Sequence, residues 1–174
     1  MKVALHVLLL VCAVVIVAGG QTPPDAKLQA QLKQLFPSAT AFSPKGGNPP
    51  HFSALVDGSG LQTIAGFAFW TTELEPLERG YDGPIKILVG MDTKGVLTGI
   101  VVVDHDEPYG YFSVDTPAFA RQFKGKNIRD AFKVGFDIDE VSRASISVTS
   151  ASRAVRNSAR RVARALLAPP GAGK

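Results

Sequence analysis

The sequence has 174 residues, of which 45% are hydrophobic and 20% are charged. These proportions support one packed domain with a short appendage and exclude a chain that is disordered throughout. The net charge is +4, but residues 143–174 hold seven basic residues and no acidic one, so the basic character belongs to that segment and the rest of the chain is net negative.

The appendage is the N-terminus. Lys2 precedes an apolar run over residues 3–18, interrupted by His6 and followed by two glycines and polar residues. A basic start, an apolar core and small residues describe a secretory signal, and the run is short for a spanning helix, which needs about 20 apolar residues. We therefore predict that residues 1–20 are a cleaved signal peptide or an uncleaved membrane anchor. Export of the remainder argues against nucleic acid as a partner of the basic segment.

The exported part lacks the residues of common metal and nucleophile sites. Its sequence has no cysteine, because Cys12 lies in the apolar run. His51 and His105 lack a metal-ligand spacing, and no phosphate loop or Gly-x-Gly-x-x-Gly fingerprint occurs. No serine stands in a Gly-x-Ser-x-Gly elbow. We predict no metal site and no catalytic residue, with a serine hydrolase as a weaker alternative.

The elements begin with residues 21–50, predicted as a helix and a linker. Asp25 is expected to cap a helix over residues 26–36, and residues 43–50, rich in Pro and Gly, indicate a loop. The domain itself is predicted over residues 51–168, with residues 169–174 as a tail.

Strand patterns follow the linker. Strands are predicted over residues 52–56 and 63–71, and a clear hairpin over residues 85–91 and 96–103. The returning strand is apolar on both faces, so we expect it to be central in the sheet and covered on each side.

Two helices complete the pattern. Asp115-Thr116-Pro117 starts a short helix, in which Phe119 and Phe123 are expected to pack inward. The last is predicted over residues 150–167; its buried stripe is Ala151, Val155, Val162 and Leu166, and its exposed stripe is Arg153, Arg156, Arg160 and Arg164. The whole predicts an α+β domain, a mostly antiparallel sheet with helices packed on it.

A cluster of hydroxyl side chains precedes or opens this helix. Its members within eleven positions are Ser142, Ser145, Ser147, Thr149, Ser150 and Ser152. A helix N-terminus presents unpaired N–H groups that bind phosphate, and Arg143 and Arg153 add positive charge. Two interpretations stay open on this physics: a phosphate site, or helix capping after a Ser/Thr-rich strand.

Three stretches resemble one family. Residues 139–145, Asp-Glu-Val-Ser-Arg-Ala-Ser, resemble the flavinylation motif Asp-x-x-Ser/Thr-Gly-Ala-Thr/Ser of the FMN-binding domain family. Residues 79–85 are similar to the segment that opens the family's sheet, and residues 105–108, His-Asp-Glu-Pro, resemble its His-x-Glu-Thr-Pro signature. The family includes the small flavin subunits of the Rnf and Na⁺-translocating NADH:quinone oxidoreductase complexes and the periplasmic flavin domain of NosR-type regulators, which residues 105–112 resemble most. The resemblance covers roughly residues 62–167.

The resemblance implies FMN as the cofactor, joined by a phosphoester to the last hydroxyl of the motif, here Ser145. Arg143 stands where the family has Gly, and Ser145 stands where Thr is commoner. The predicted cofactor-binding residues are Ser145, Ser142, Ala144, Ser147, Asp139, Tyr81, Gly83, His105, Glu107 and Arg153.

The implied function is electron transfer rather than an enzyme reaction on a substrate of its own. The domain would be periplasmic, free or anchored to the inner membrane, and would exchange electrons with a membrane or periplasmic redox partner. A separate FAD:protein FMN transferase would attach the flavin. The alternative, favoured by Arg143, is a flavin-free exported binding or structural module that retains the fold.

Two pairs of site residues have open roles. His105 and Glu107 are either a strand-end pair facing solvent or residues that shape the flavin pocket or orient the flavinylation segment. Tyr81 and Gly83 form either a turn with a packed ring or a close backbone approach to the flavin ring.

Overall fold

A computed structural model describes residues 25–58 and 60–167. The predicted signal or anchor and the predicted tail lie outside these ranges. The elements are α1 (Ala26–Leu35), β1 (Ala41–Phe42), β2 (Phe52–Gly58), β3 (Leu61–Trp70), α2 (Thr71–Leu74), β4 (Lys86–Asp92), β5 (Leu97–Asp104), a 3₁₀ turn (Gly110–Phe112), α3 (Pro117–Arg121) and α4 (Ser145–Leu166).

The sheet of the described chain has five strands in the order β1-β2-β3-β4-β5. Every neighbouring pair is antiparallel, because each strand returns beside the one before it. The predicted α+β class is therefore confirmed. Among the helices of residues 25–58 and 60–167, none combines the length and the apolarity needed to cross a bilayer.

Helices cover both faces of the sheet, and the two-residue period of the strands divides the core between them. Phe69, Ile87 and Val89 point to the face that packs against α3 and α4. Ala68 and Leu88 point to the opposite face and pack with α1. Residues 87–91 of β4 are all buried, because α1 packs on one face of this strand and α4 on the other.

The prediction that β5 is central was wrong. Within the described sheet β5 is an edge strand that pairs with β4 alone. Its two faces are nevertheless both covered, since Val102 packs in the α4 core and Val101 packs in the α1 core. Apolar residues on both faces of a strand thus indicate that both faces are covered. They do not indicate how many strands pair with it.

The last helix begins five residues earlier than predicted, at Ser145. The residues interpreted as a possible Ser/Thr-rich strand are its first turns, so that alternative was wrong. The helix forms there because Val148 and Ala151 are buried in the core, while the hydroxyls of Ser147 and Ser150 find acceptors elsewhere in the fold. The predicted cap Asp25 is confirmed, since its side chain accepts a hydrogen bond from the N–H group of Leu28. At the predicted start of α3, Thr116 is the cap and accepts from the N–H group of Phe119.

Candidate functional site

A cavity of about 320 Å³ lies where α4 begins. Three segments line it: residues 143–147, residues 108–109, and Tyr81. Tyr81, Tyr109 and Ile146 stay exposed to solvent despite the apolar area of their side chains. The cavity therefore combines the first turn of a long helix with apolar surface that the fold itself does not cover.

Ser145 is the first residue of α4, and its side chain is exposed to solvent. The preceding residue, Ala144, occupies the N-cap position and has no side chain that accepts a hydrogen bond. The N–H groups of the first helical turn are thus left without a side-chain cap. The hydroxyl of Ser145 and these N–H groups are accessible from the same cavity.

Arg143 lies in the left-handed backbone region, with φ of 69°. A side chain there costs roughly 1–2 kcal/mol, whereas Gly adopts it without this penalty. This geometry explains why the resembling motif has Gly at the corresponding place. Arg143 lines the cavity, and no ion pair or hydrogen bond holds its guanidinium among the described residues.

Glu107 is a buried carboxylate beside the cavity, with 6% of its surface exposed. Its Oε2 accepts hydrogen bonds from the N–H of Tyr81 at 3.0 Å and from the hydroxyl of Ser147. Its Oε1 accepts the N–H of Asp82 at 3.0 Å. The interpretation of Glu107 as a solvent-facing residue therefore does not describe this fold.

His105 supports Glu107 from behind. The N–H of Glu107 donates to Nδ1 of His105 at 3.0 Å, and Nε2 of the same ring lies 2.8 Å from Oδ1 of Asp115. The accepting Nδ1 assigns the ring proton to Nε2. A Cβ at Gly110 would overlap the imidazole ring, so the ring sits closely against the backbone of the 3₁₀ turn.

Arg153 lies two turns beyond Ser145 and binds Glu78. The hydrogen bond from Arg153 lowers the pKa of Glu78; burial opposes this shift, and Ser150 adds to the lowering. The same hydrogen bond raises the pKa of Arg153. Arg153, which was predicted to bind a phosphate, thus pairs with the carboxylate of Glu78, and neither residue lines the cavity.

The predicted site residues fall into three groups. Those that line the cavity are Ser145, Ala144, Ser147 and Tyr81. His105 and Glu107 support the lining through hydrogen bonds. The others lie outside the lining: Ser142 and Asp139 are exposed before α4, Arg153 binds Glu78, and Gly83 (φ 146°) accepts the N–H of Gly80 through its carbonyl.

Some residues of the site were absent from the predicted set. Tyr109 and Ile146 line the cavity, and both are apolar residues within or beside the recognised motifs. Their exposure is the feature that marks them, and exposure is a property of the fold. Glu78 has no sequence signal, since its partner Arg153 is 75 positions away.

Residues 80–160 match the FMN-binding domain family. The chain is also similar to a subunit of the ion-translocating oxidoreductase complex of Vibrio vulnificus (strain YJ016), with 33% identity in an 88-residue alignment that covers 45% of this chain and 42% of that protein. The corresponding subunit of Vibrio parahaemolyticus serotype O3:K6 (strain RIMD 2210633) is 31% identical over 88 residues, with the same coverage. The match thus spans less than half the length of these relatives. All the residues that line the cavity lie within the family match.

Proposed function

Because residues 80–160 make this chain a member of the FMN-binding domain family, with FMN as its cofactor, we propose that the cavity at the start of α4 holds FMN. The domain would then be an electron-transfer flavoprotein. The observation that carries this proposal is an exposed serine hydroxyl, Ser145, at the uncapped head of a long helix and on the wall of an apolar cavity.

The residues present fit a flavin nucleotide. The guanidinium of Arg143 and the N–H groups of the first turn of α4 would bind the phosphate. The exposed faces of Tyr81, Tyr109 and Ile146 would contact an apolar ring system. When bound, FMN supplies the redox chemistry, while the protein supplies tethering, orientation and electrostatics.

Ser145 is the proposed point of covalent attachment. Its oxygen would form the phosphoester to the FMN phosphoryl group of FAD, the bond to the AMP phosphate would break, AMP would leave, and the hydroxyl proton would pass to solvent. The reaction belongs to a separate FAD:protein FMN transferase. The motif residues Asp139 and Ser142 are exposed, which keeps them accessible to such an enzyme.

The proposed setting is the periplasmic side of the inner membrane. The apolar run over residues 3–18 supports export, either as a signal peptide or as an anchor. The relatives are described as subunits of an ion-translocating oxidoreductase complex, which supports a membrane-associated redox partner. The residues that follow Glu107 favour a NosR-like branch of the family.

One feature favours a second candidate, a flavin-free exported module. Arg143 stands in a strained left-handed conformation where the motif has Gly, and a bulky cation beside Ser145 would hinder an approaching transferase. This candidate keeps the fold and the cavity and loses the covalent flavin.

Co-expression with a periplasmic FAD:protein FMN transferase separates the two candidates. We expect fluorescent flavin on the denatured chain, and an intact mass increased by one FMN less one water. Ser145→Ala should abolish both signals, whereas Thr149→Ala, which removes an exposed hydroxyl one turn along α4, should retain them. Asp139→Ala should reduce labelling.

Other outcomes would revise the proposal. A wild-type chain that stays unmodified while Arg143→Gly becomes labelled would establish the flavin-free module. Loss of label in Ser147→Ala with label retained in Ser145→Ala would move the attachment point by two residues.

A further inference from the structure

We infer that Glu107 is a positioning residue for flavin attachment, which joins the three chain segments that line the cavity into one geometry. The inference rests on the proposed function and deepens it. Glu107 does not line the cavity, so it acts through Tyr81 and Ser147 and not by contact with the flavin.

The hydrogen bonds of Glu107 reach two of the three walls of the cavity, and the chain itself joins Glu107 to the third. Its Oε2 accepts from Tyr81, 26 residues away in sequence, and from Ser147, 40 residues away. Pro108 and Tyr109, which form the third wall, follow Glu107 directly in the chain. One carboxylate oxygen therefore links the wall formed by Tyr81 to the first turn of α4, in which Ser145 lies.

The carboxylate has little freedom to move. It is buried, and a Cβ at Gly80 would overlap it, so the 80–82 segment approaches it as closely as a backbone can. Behind it, His105 holds the Glu107 backbone and Asp115 holds His105. The position of Ser147 relative to Tyr81 is thus fixed by a chain of hydrogen bonds that starts at the head of α3.

A carboxylate suits this place because its three partners are all donors. Glutamine has one acceptor oxygen and one NH₂ group, so in either orientation Glu107→Gln directs its NH₂ group at a backbone N–H, that of Tyr81 or that of Asp82. The shape of the side chain is conserved while the link between the walls is broken. A purely structural role would lower stability and leave the chemistry of the folded fraction unchanged.

Glu78→Gln provides a matched control. Glu78 also accepts hydrogen bonds from α4, through Ser150 and Arg153, but within the described residues it neither lines the cavity nor forms a hydrogen bond with a residue that does. Its replacement should lower the melting temperature without changing flavin attachment. The comparison thus separates the geometry of the cavity from the general stability of α4.

The experiment uses the full chain and purified transferase with FAD. For wild type, Glu107→Gln and Glu78→Gln, attachment rates are measured over a range of chain concentrations, together with melting temperature and visible circular dichroism of the attached flavin. We expect Glu107→Gln to lower the maximal attachment rate at least tenfold and to alter the flavin dichroism. Ser147→Ala, which removes one donor and leaves the carboxylate, should give a smaller decrease and serves if Glu107→Gln fails to fold.

Three results are decisive. A selective loss of rate in Glu107→Gln supports the inference. If wild type takes up flavin normally, and Glu107→Gln and Ser147→Ala have attachment rates equal to that of wild type or of Glu78→Gln, the inference is overturned. The proposed function then stands. Wild type that takes no flavin overturns the proposed function, and the inference with it.

Discussion

Arg153 donates two hydrogen bonds to Glu78, from Nε to Oε2 at 2.7 Å and from a terminal nitrogen to Oε1 at 2.6 Å. This bidentate pair fastens the segment after α2 to the third turn of α4. The guanidinium predicted to meet a phosphate is thereby held by a carboxylate, and Arg143 is the cation on the cavity wall.

Removal of the Arg153 pair should affect stability more than flavin affinity. Because Arg153 is half exposed, we expect Arg153→Gln to lower the free energy of unfolding at pH 7 by only about 0.5–1 kcal/mol. Urea unfolding checks this, with Arg164→Gln as a control at an exposed arginine that makes no ion pair within the described chain. A fall in FMN affinity as large as that of an Arg143 variant would instead place Arg153 at the phosphate.

The same pair predicts a pH dependence with a defined sign. The pKa of Glu78 is lower in the folded chain than in the unfolded one, so its stabilisation is complete above the unfolded value of about 4.3 and is lost as the pH falls through the folded value. The stability difference between wild type and Arg153→Gln should therefore shrink in acid. A difference that persists at low pH would show that packing of the arginine stem stabilises the helix.

Arg143 should have opposite effects on folding and on phosphate binding. In a Ser145→Ala background, which leaves only noncovalent flavin, we expect Arg143→Gly to raise the free energy of unfolding by about 0.5–1 kcal/mol, because relief of the left-handed strain exceeds the extra backbone entropy that glycine loses on folding. It should also weaken FMN binding by about tenfold, the value of a charge-assisted hydrogen bond. Riboflavin, which has no phosphate, should bind equally to both chains.

Arg143→Lys in the same Ser145→Ala background is the matched variant, because it keeps the charge and the strain. It should bind FMN nearly as well as the chain with Arg143 does and gain no stability. Equal losses of FMN and riboflavin affinity in Arg143→Gly would show that the guanidinium contacts the ring system and not the phosphate.

Asp137 should be essential to the loop between α3 and α4. Burial raises the pKa of Asp137, but hydrogen bonds from the Lys133 N–H, the Lys126 ammonium and the Phe132 N–H outweigh it, so the pKa is lowered. Phe132 itself is buried at a φ of 51°. We expect Asp137→Ala to cost about 2 kcal/mol of unfolding free energy by calorimetry. Glu140→Ala, at an exposed position nearby, should cost little; equal losses would contradict this role.

The export signal gives a prediction about location. A fusion of residues 1–40 to alkaline phosphatase should be active in a bacterial host, because that enzyme needs disulfides that form outside the cytoplasm. An expressed but inactive fusion would indicate that the domain stays in the cytoplasm. Nucleic acid would then again be a candidate partner of the basic segment.

Local patterns predicted most elements, and tertiary contacts decided what the patterns left open. The β4–β5 hairpin and the caps of α1 and α3 follow from alternation, turn residues and hydroxyl or carboxylate caps. The start of α4 does not, because serines favour a helix there only when Glu107 and Glu78 accept their hydroxyl hydrogens. Such partners lie 40 and 72 residues away, beyond any local signal.

The site divides in the same way. The motif predicted Ser145 as the attachment point, and the structure gives that residue a position at the head of α4 which the motif alone does not state. The strain at Arg143 is a backbone property that becomes visible only in the fold. The cavity walls formed by Tyr81 and Tyr109 and the hydrogen bonds of Glu107 depend on contact between three segments that are distant in sequence. No single motif describes that contact.

The length of α4 restricts how a redox partner can approach. The helix has 22 residues, which corresponds to an axis of roughly 33 Å. A flavin attached at Ser145, as proposed, would therefore lie at the opposite end of this helix from the arginines of its last turns, and electron exchange weakens steeply with separation. A partner that docks on the arginine end would be too remote for rapid exchange. On that proposal we expect the productive encounter to occur over Tyr81, Tyr109 and Ile146, which would leave the basic end of the helix for contacts that carry no electrons.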